Sequence, residues 1–133
     1  YGGIPDIRIR RIDPNQSLRI GGTEILPVRV LHHRLPILGF RIGSFAYLTD
    51  VKRIPDAELK KLRGLNTLVI NALRKTEHLS HLSLTEALQI IEMIAPERTF
   101  LTHFSHEMGR HVDMRDTLPT GVFPAYDNLE ITL

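Results

Sequence analysis

Cysteine is absent from these 133 residues. Disulfide bridges and thiolate zinc sites are therefore excluded, and a reducing cytoplasm is the compartment expected for the chain. Long apolar runs are also missing: none approaches the roughly 20 residues of a membrane span, and no secretory signal pattern opens these residues. An excess of one charge is lacking too. Seventeen Lys and Arg stand against 15 Asp and Glu, a formal net charge of +2, too small to argue for nucleic acid as a partner. Low-complexity segments and internal repeats do not occur. What remains is ordinary for a globular domain with a real core, at 42% hydrophobic and 24% charged residues. Histidine is the unusual presence, with seven residues at 32, 33, 78, 81, 103, 106 and 111.

The chain opens at Tyr1 rather than Met, and Tyr1-Gly2-Gly3-Ile4-Pro5 reads as the middle of a loop. An upstream segment is expected to precede it. Alternation predicts a half-buried strand over Ile7–Ile12. A hairpin follows, Ser17–Ile20 and Thr23–Leu31 around Gly21-Gly22, with Pro27 suggesting an edge position or bulge. His32 to Pro36 breaks the pattern. Ile37–Ile42 and Phe45–Thr49 form a second hairpin around Gly43-Ser44. A helix is predicted from Pro55-Asp56 to Leu62 with Gly64 as its C-cap. Thr67–Ile70 reads as a buried strand. The clearest helix starts at Ser83, whose capping box is completed by Glu86, and keeps apolar spacing to Ile94 before Pro96 stops it. Thr99–Thr102 is a short buried strand, Glu107–Arg115 a helix, and Gly121–Leu133 two short strands separated near Asp127-Asn128. The order, a β-rich start and then strand–helix alternation, predicts an α/β fold with one mixed sheet and helices from 56–62, 84–94 and 107–115 on one face.

Within that order, His33, Asp50 and His103 each fall just beyond a strand or in the loop next to one. Side chains so distant in sequence converge only if their strands end on one edge of a sheet, where α/β proteins present ligands. Two imidazoles and a carboxylate suit Zn, Mn or Fe. Read singly, each is better explained as a turn residue or a loop histidine.

Several stretches resemble motifs of the metallo-β-lactamase superfamily. His33-Arg34-Leu35-Pro36-Ile37-Leu38-Gly39-Phe40-Arg41 resembles its His-x-x-Pro-x-x-Gly-Tyr-Arg element. Tyr47-Leu48-Thr49-Asp50 resembles the later strand ending in a metal-bridging Asp, and Leu101–His106 the last metal-binding motif. His81–Leu88 is similar to the His-plus-helix element of the phosphodiesterase branch. Ala125-Tyr126-Asp127-Asn128-Leu129 is similar to that branch's terminal Ala-Tyr-Asp-Gly-Leu turn, with Asn128, which tolerates a left-handed backbone, in place of Gly. Within the superfamily the resemblance runs to the phosphoribosyl cyclic-phosphate phosphodiesterases, and more distantly to the tRNA 3′-processing endonucleases. The superfamily's His-x-His-x-Asp-His motif is not among these residues, so the chain resembles a single partial domain over 1–133, the C-terminal half of an αββα sandwich.

The resemblance implies a metal-dependent phosphodiesterase that acts on a small cyclic phosphodiester through water activated by two divalent ions, zinc or manganese. It implies His33 as ligand of one metal, Asp50 as the bridge and His103 as ligand of the second. His81 would be the catalytic proton donor, against the plainer reading of it as support for the helix start. His106 would orient a ligand or the substrate phosphate. His32 is expected to be turned away by alternation, His78 and His111 to be solvated, and Arg41 and Arg74 to be candidates for phosphate contact. Two other readings stand beside this one: a nuclease relative acting on RNA ends, and a non-catalytic binding or assembly fragment. Three ligands divided over two sites predict absent or partial metal binding by these residues alone. An uncovered sheet face, assigned to Ile7, Ile9, Val28, Val30, Ile37 and Phe40, predicts a homo-oligomer.

Overall fold

Strand connections of two kinds divide the chain. Leu18–Ile20 (β1), Thr23–His32 (β2), Leu35–Ile42 (β3) and Phe45–Leu48 (β4) follow one another through two-residue turns and pair antiparallel. The first residue of each turn, Gly21, His33 and Gly43, has a positive φ of 60°, 55° and 56°, which suits the twist of a tight hairpin. Thr67–Asn71 (β5), Arg98–Thr102 (β6) and Val122–Pro124 (β7) are instead reached through helical crossovers and pair parallel. The crossovers carry Asp56–Leu59 (α1), continued by a 3-10 turn over Lys60–Leu62, then Leu84–Ile94 (α2) and His111–Arg115 (α3). The result is one seven-stranded mixed sheet whose strand order is the chain order. This computed structural model describes residue 3 and residues 7–132.

The expected helix at Ser83 forms as the sequence reads. The Ser83 hydroxyl accepts from the Glu86 N–H and the Glu86 carboxylate accepts from the Ser83 N–H, closing the capping box. Ala95, left-handed at φ 52°, ends the helix. Its Ala87, Ile90 and Ile94 face the core with Leu68, Ile70 and Leu101 of the sheet. Each large aliphatic side chain buried there contributes about 1.5–3 kcal/mol. Pro27 pairs only with Phe40 of β3. The N–H groups of Arg29 and Leu31, two and four residues on, point away from β3 to Glu58 and Arg53. Proline thus lacks only a donor that would face the outer edge, as expected.

Four expectations change. Ile7–Ile12 forms no strand; Ile7 and Ile9 are 76% and 93% exposed. Alternation names a face but does not supply the apolar surface that would bury it, and these isoleucines stay largely exposed. His32 to Pro36 is no break, because β2 and β3 continue through it and only His33-Arg34 turn. The helix expected over 107–115 is a 3-10 turn, His106–Met108, followed by the short α3, with Gly109 at φ 96° dividing them. Of the two closing strands only β7 forms; from 125 to 132 the chain is irregular, with a turn at Asn128, and residue 133 lies outside the described residues.

The helices cover one face of the sheet. On the other, the registers align Phe40, Tyr47, Val69, Phe100 and Phe123 in one row across β3 to β7. Tyr47 and Phe123 are 47% and 44% exposed. Val28 and Val30, assigned from sequence to an uncovered face, are fully buried in the core.

Gly39 shows how closely β3 and β4 approach. A Cβ there would lie 2.3 Å from Leu48 Cδ2 and 2.9 Å from the Tyr47 carbonyl oxygen. Leu48 is fully buried and cannot swing away. Gly39→Ala is expected to cost about 1–3 kcal/mol through overpacking. Gly22→Ala, which meets nothing within 4 Å, should leave the urea-unfolding midpoint nearly unchanged; equal midpoints for the two variants would contradict the account.

Candidate metal and acid–base centre

β2, β4, β5 and β6 all run in the same direction, so their carboxyl ends meet at one edge of the sheet. His32 ends β2, Asp50 follows β4 by two residues, Asn71 ends β5 and His103 follows β6. The loop from β5 to α2 leaves from this edge and carries His78 and His81. Asp50 and His103, like His33, are left-handed, at φ 58° and 64°. Such a backbone is uncommon outside glycine, although Asp and His tolerate it better than most. It turns each side chain sharply at the strand end.

His81 is the middle of the cluster. Its Nε2 lies 3.1 Å from Asp50 Oδ1, and its Nδ1 lies 3.0 Å from the Ser80 hydroxyl. Its ring meets His32 edge-on at 4.7 Å between centroids and stacks on His103 at 4.8 Å. His103 Nε2 is 3.7 Å from the same Asp50 oxygen. Asp50, His81 and His103 are therefore brought together. His33 is not among them; it is exposed on the hairpin turn. The neighbour set aside as structural, His32, is the one that faces the cluster, because the alternation argument assumed a pattern broken at His32 whereas β2 runs through it. His106 is exposed on the 3-10 turn and has no contact with the cluster among the described residues.

His78 is half-buried rather than solvated, with Nδ1 3.4 Å from His81 Nδ1. Desolvation, followed by the charges of Arg74, His81, Lys52 and His32, holds its pKa below the ordinary imidazole value. His111 is exposed, its Nε2 3.3 Å from the Pro124 carbonyl. Arg41 is committed elsewhere, donating to the carbonyls of Gly43, Lys61 and Arg63 and so capping the end of the first crossover helix. Arg74 donates to the Glu77 carbonyl and pairs with Glu107.

One residue escaped the sequence reading. Asn71 is fully buried, its side-chain oxygen accepting from the Val51 N–H at 2.7 Å and its Nδ2 donating to the Val51 carbonyl at 3.0 Å. A polar amide inside the apolar run Leu68-Val69-Ile70-Asn71-Ala72 was the available signal, since a buried amide needs partners.

The donor set fits a divalent transition metal. One ligand atom each from His32, Asp50 and His81 lies within 4.8 Å of the others, and two imidazoles with a carboxylate form a borderline-hard set.

Residues 2–104 match the family described as β-lactamase superfamily domain. The crystal structure of a diphosphatase from the PhnP family superposes with a TM-score of 0.91 at 36% identity, over 95% of this chain and 49% of that one. The metallo-β-lactamase fold protein YhfI from Bacillus subtilis gives 0.67 at 20% identity, covering 86% of this chain and 51% of that one. Human tRNase Z, short form, gives 0.66 at 20%, covering 87% and 46%. These two share the fold. A protein of Porphyromonas gingivalis (strain ATCC BAA-308 / W83) named octanoyltransferase is 35% identical over 131 residues, 98% of this chain but 27% of that protein; that name has no bearing on the site described here. The chain thus spans about half the length of the diphosphatase structure and about a quarter of the Porphyromonas protein.

The two loops that carry Asp50 and His81 are also tied by charge. Lys52, two residues past Asp50, donates to Glu86 Oε1 at 2.6 Å, and Glu86 closes the capping box two residues past His81. Burial opposes ionisation of Glu86, but the hydrogen bonds from Lys52 and Ser83 outweigh it and hold the carboxyl below its ordinary 4.5. A depressed carboxylate pKa gives stability that is complete above the unfolded value and is lost as pH falls through the folded one. Unfolding by urea should therefore show stability falling as pH drops below about 4.5. Glu86→Gln keeps an acceptor for Ser83 but loses the charge, and should flatten that part of the profile. An unchanged slope in the variant would assign the acid sensitivity to other carboxylates.

Proposed function

The chain belongs to the metallo-β-lactamase superfamily, and on that premise we propose that the protein of which these residues form the site edge hydrolyses a small phosphodiester, a cyclic one above all. The observation that carries the reading is the 3.1 Å contact between His81 Nε2 and Asp50 Oδ1 in a cluster of imidazoles at the carboxyl edge of the sheet. The diphosphatase of the PhnP family supports phosphorus chemistry as the class, with 36% identity over nearly the whole of this chain.

In this reading Asp50 would be the central metal ligand, with His103 beside it, while His33, the ligand that the resemblance implies, stands exposed on the hairpin turn. His32 is a further donor that the geometry offers. Three or four donors fall short of what two ions require, so the remaining ligands would come from residues other than these. Zinc or manganese, when bound, supplies Lewis acidity and lowers the pKa of a coordinated water from about 15.7 toward about 7. His81, although its ring nitrogen also lies within 4.8 Å of the ligand atoms of His32 and Asp50, acts in this reading as the proton donor and not as a ligand. Its Ser80 contact fixes the ring through Nδ1, leaving Nε2 to present the proton at the site. Water adds to phosphorus and gives up one proton, the P–O bond to the ring alkoxide breaks, the Nε2 proton passes to that oxygen, and the proton given up by the water restores His81. One water is consumed and the cyclic diester opens to a monoester. His106 would reach the substrate phosphate from the turn beyond His103.

Proton donation matters most for a poor leaving group. His81→Ala should slow cleavage of an alkyl diester by a factor of about 10² to 10⁴, should slow an activated aryl diester far less, and should leave the metal content unchanged. Asp50→Ala should remove metal and activity together. The test is both diesters against both variants, with metal measured in each. Equal losses on the two diesters for His81→Ala would reject the donor role, and loss of metal in that variant would make His81 a ligand.

A further inference from the structure

The side chains that form the cluster come from four separate strand ends and loops. Their separations depend on the main chain immediately beside them. Leu31, next to His32, accepts from Lys52 at 2.7 Å and donates to Arg53 at 2.8 Å. Thr102, next to His103, accepts from Ala72 at 3.0 Å. Val51, next to Asp50, is held on both its polar groups by the Asn71 amide. The Val51 carbonyl also accepts from Leu82, next to His81, at 2.8 Å. That one oxygen therefore takes a hydrogen bond from each side, the Asn71 side chain and the loop of His81.

The reason for a side-chain amide at this point lies in the strand geometry. β4 and β5 pair through Leu48 and Ile70. Beyond Leu48 the chain turns at Asp50 into a left-handed conformation and leaves the ladder. The main chain beyond β5 is already engaged, with Ala72 bonded to Thr102 and Leu73 to Leu82. Val51 would be left with an unpaired N–H inside the protein. A primary amide carries the same donor and acceptor as a peptide group, so Asn71 extends the β4–β5 ladder by one rung after the main chain has departed.

We propose that Asn71 is the positioning residue of the centre: by clamping Val51 it sets the Asp50–His81 contact and so the geometry of both metal ligation and proton donation. The assignment rests on the roles proposed above for Asp50 and His81. It goes beyond them in naming the group that holds the two in register. Asn71 touches neither side chain; it acts through Val51 and, through the Val51 carbonyl, on Leu82.

The test uses the chain with ¹⁵N-labelled histidine, and reads the His81 ring by long-range ¹H–¹⁵N NMR at a pH where imidazole is neutral. The natural chain should show His81 with its proton on Nε2, shared with Asp50. Asn71→Ser is too short to span both Val51 groups, and Asn71→Asp keeps the acceptor but loses the donor; both should release that preference to a mixture of tautomers. Titration with cobalt(II) should show affinity reduced about tenfold to hundredfold, the usual effect of removing support behind a ligand. Val69→Ala, which removes buried surface and neither of the Asn71–Val51 hydrogen bonds, serves as the control for a loss of thermal stability alone and should keep both signatures. A folded Asn71→Ser protein with an unchanged His81 signature would overturn the proposal, as would an equal change in Val69→Ala. Should both Asn71 variants fail to fold, the natural chain still decides: the Asn71 Nδ2 protons must be protected from exchange, and free exchange would overturn the clamp. Asp50→Ala, which removes the acceptor, separates the two levels. If it leaves the Nε2 preference in place, the Asp50–His81 pairing itself is wrong, whatever Asn71 does.

Discussion

The centre depends on backbone hydrogen bonding that carries on past the ends of the strands. A strand that stops at a sheet edge leaves its next N–H and C=O groups without a ladder. Here those groups are met one residue away from each functional side chain, at Leu31, Val51, Leu82 and Thr102. Imidazole rings and a carboxylate are thereby held at contact distances by bonds that none of them makes. Main-chain bonds suit this task because they are short and satisfied on both sides, and because an unmet buried peptide group costs about 1–3 kcal/mol. The chain therefore resists rearrangement at the points where rearrangement would disperse the site.

The same constraint explains the backbone at Asp50 and His103. A residue directly beyond a strand would ordinarily continue outward, away from neighbouring strands. The left-handed conformation folds it back across the edge. For a residue other than glycine this carries a strain of order 1–3 kcal/mol. It persists because the following residue is pinned: Val51 by Asn71, and Ser105, two beyond His103, by the Leu73 carbonyl. His33 has the same conformation for a different reason, since it stands where the two other hairpins place glycine. Similar φ values at three histidine and aspartate positions thus arise from two mechanisms, a strand-end reversal and a hairpin turn.

Much of this was legible in the residues. The hairpins at Gly21-Gly22 and Gly43-Ser44, the capping box at Ser83, the buried run at 67–70 and the mixed sheet followed from local chemistry, which tertiary contacts here reinforce. Ile7–Ile12 did not, because alternation describes a face without saying whether another strand will meet it. The swap between His32 and His33 turned on one residue of register. Moving the turn by a single position reverses which side chain faces the cluster, and no local signal in His32-His33-Arg34 fixes that position. Asn71 was missed for a related reason: its partner lies 20 residues earlier, in the loop beyond β4, and sequence spacing does not reveal a side chain that substitutes for a rung of the sheet. The convergence of Asp50, His81 and His103 came from resemblance to known motifs, not from periodicity.

The strand order, which is simply the order of the chain, has a bearing on how the protein is made. Every strand pairs with the one synthesised just before it, so no early strand waits for a late one to fill a gap. Contacts close over the length of one turn or one helical crossover, which keeps the loop-closure entropy of each step small and favours rapid folding for a sheet of this size. During translation the edge at which the sheet grows would stay open only until the next strand emerged from the ribosome.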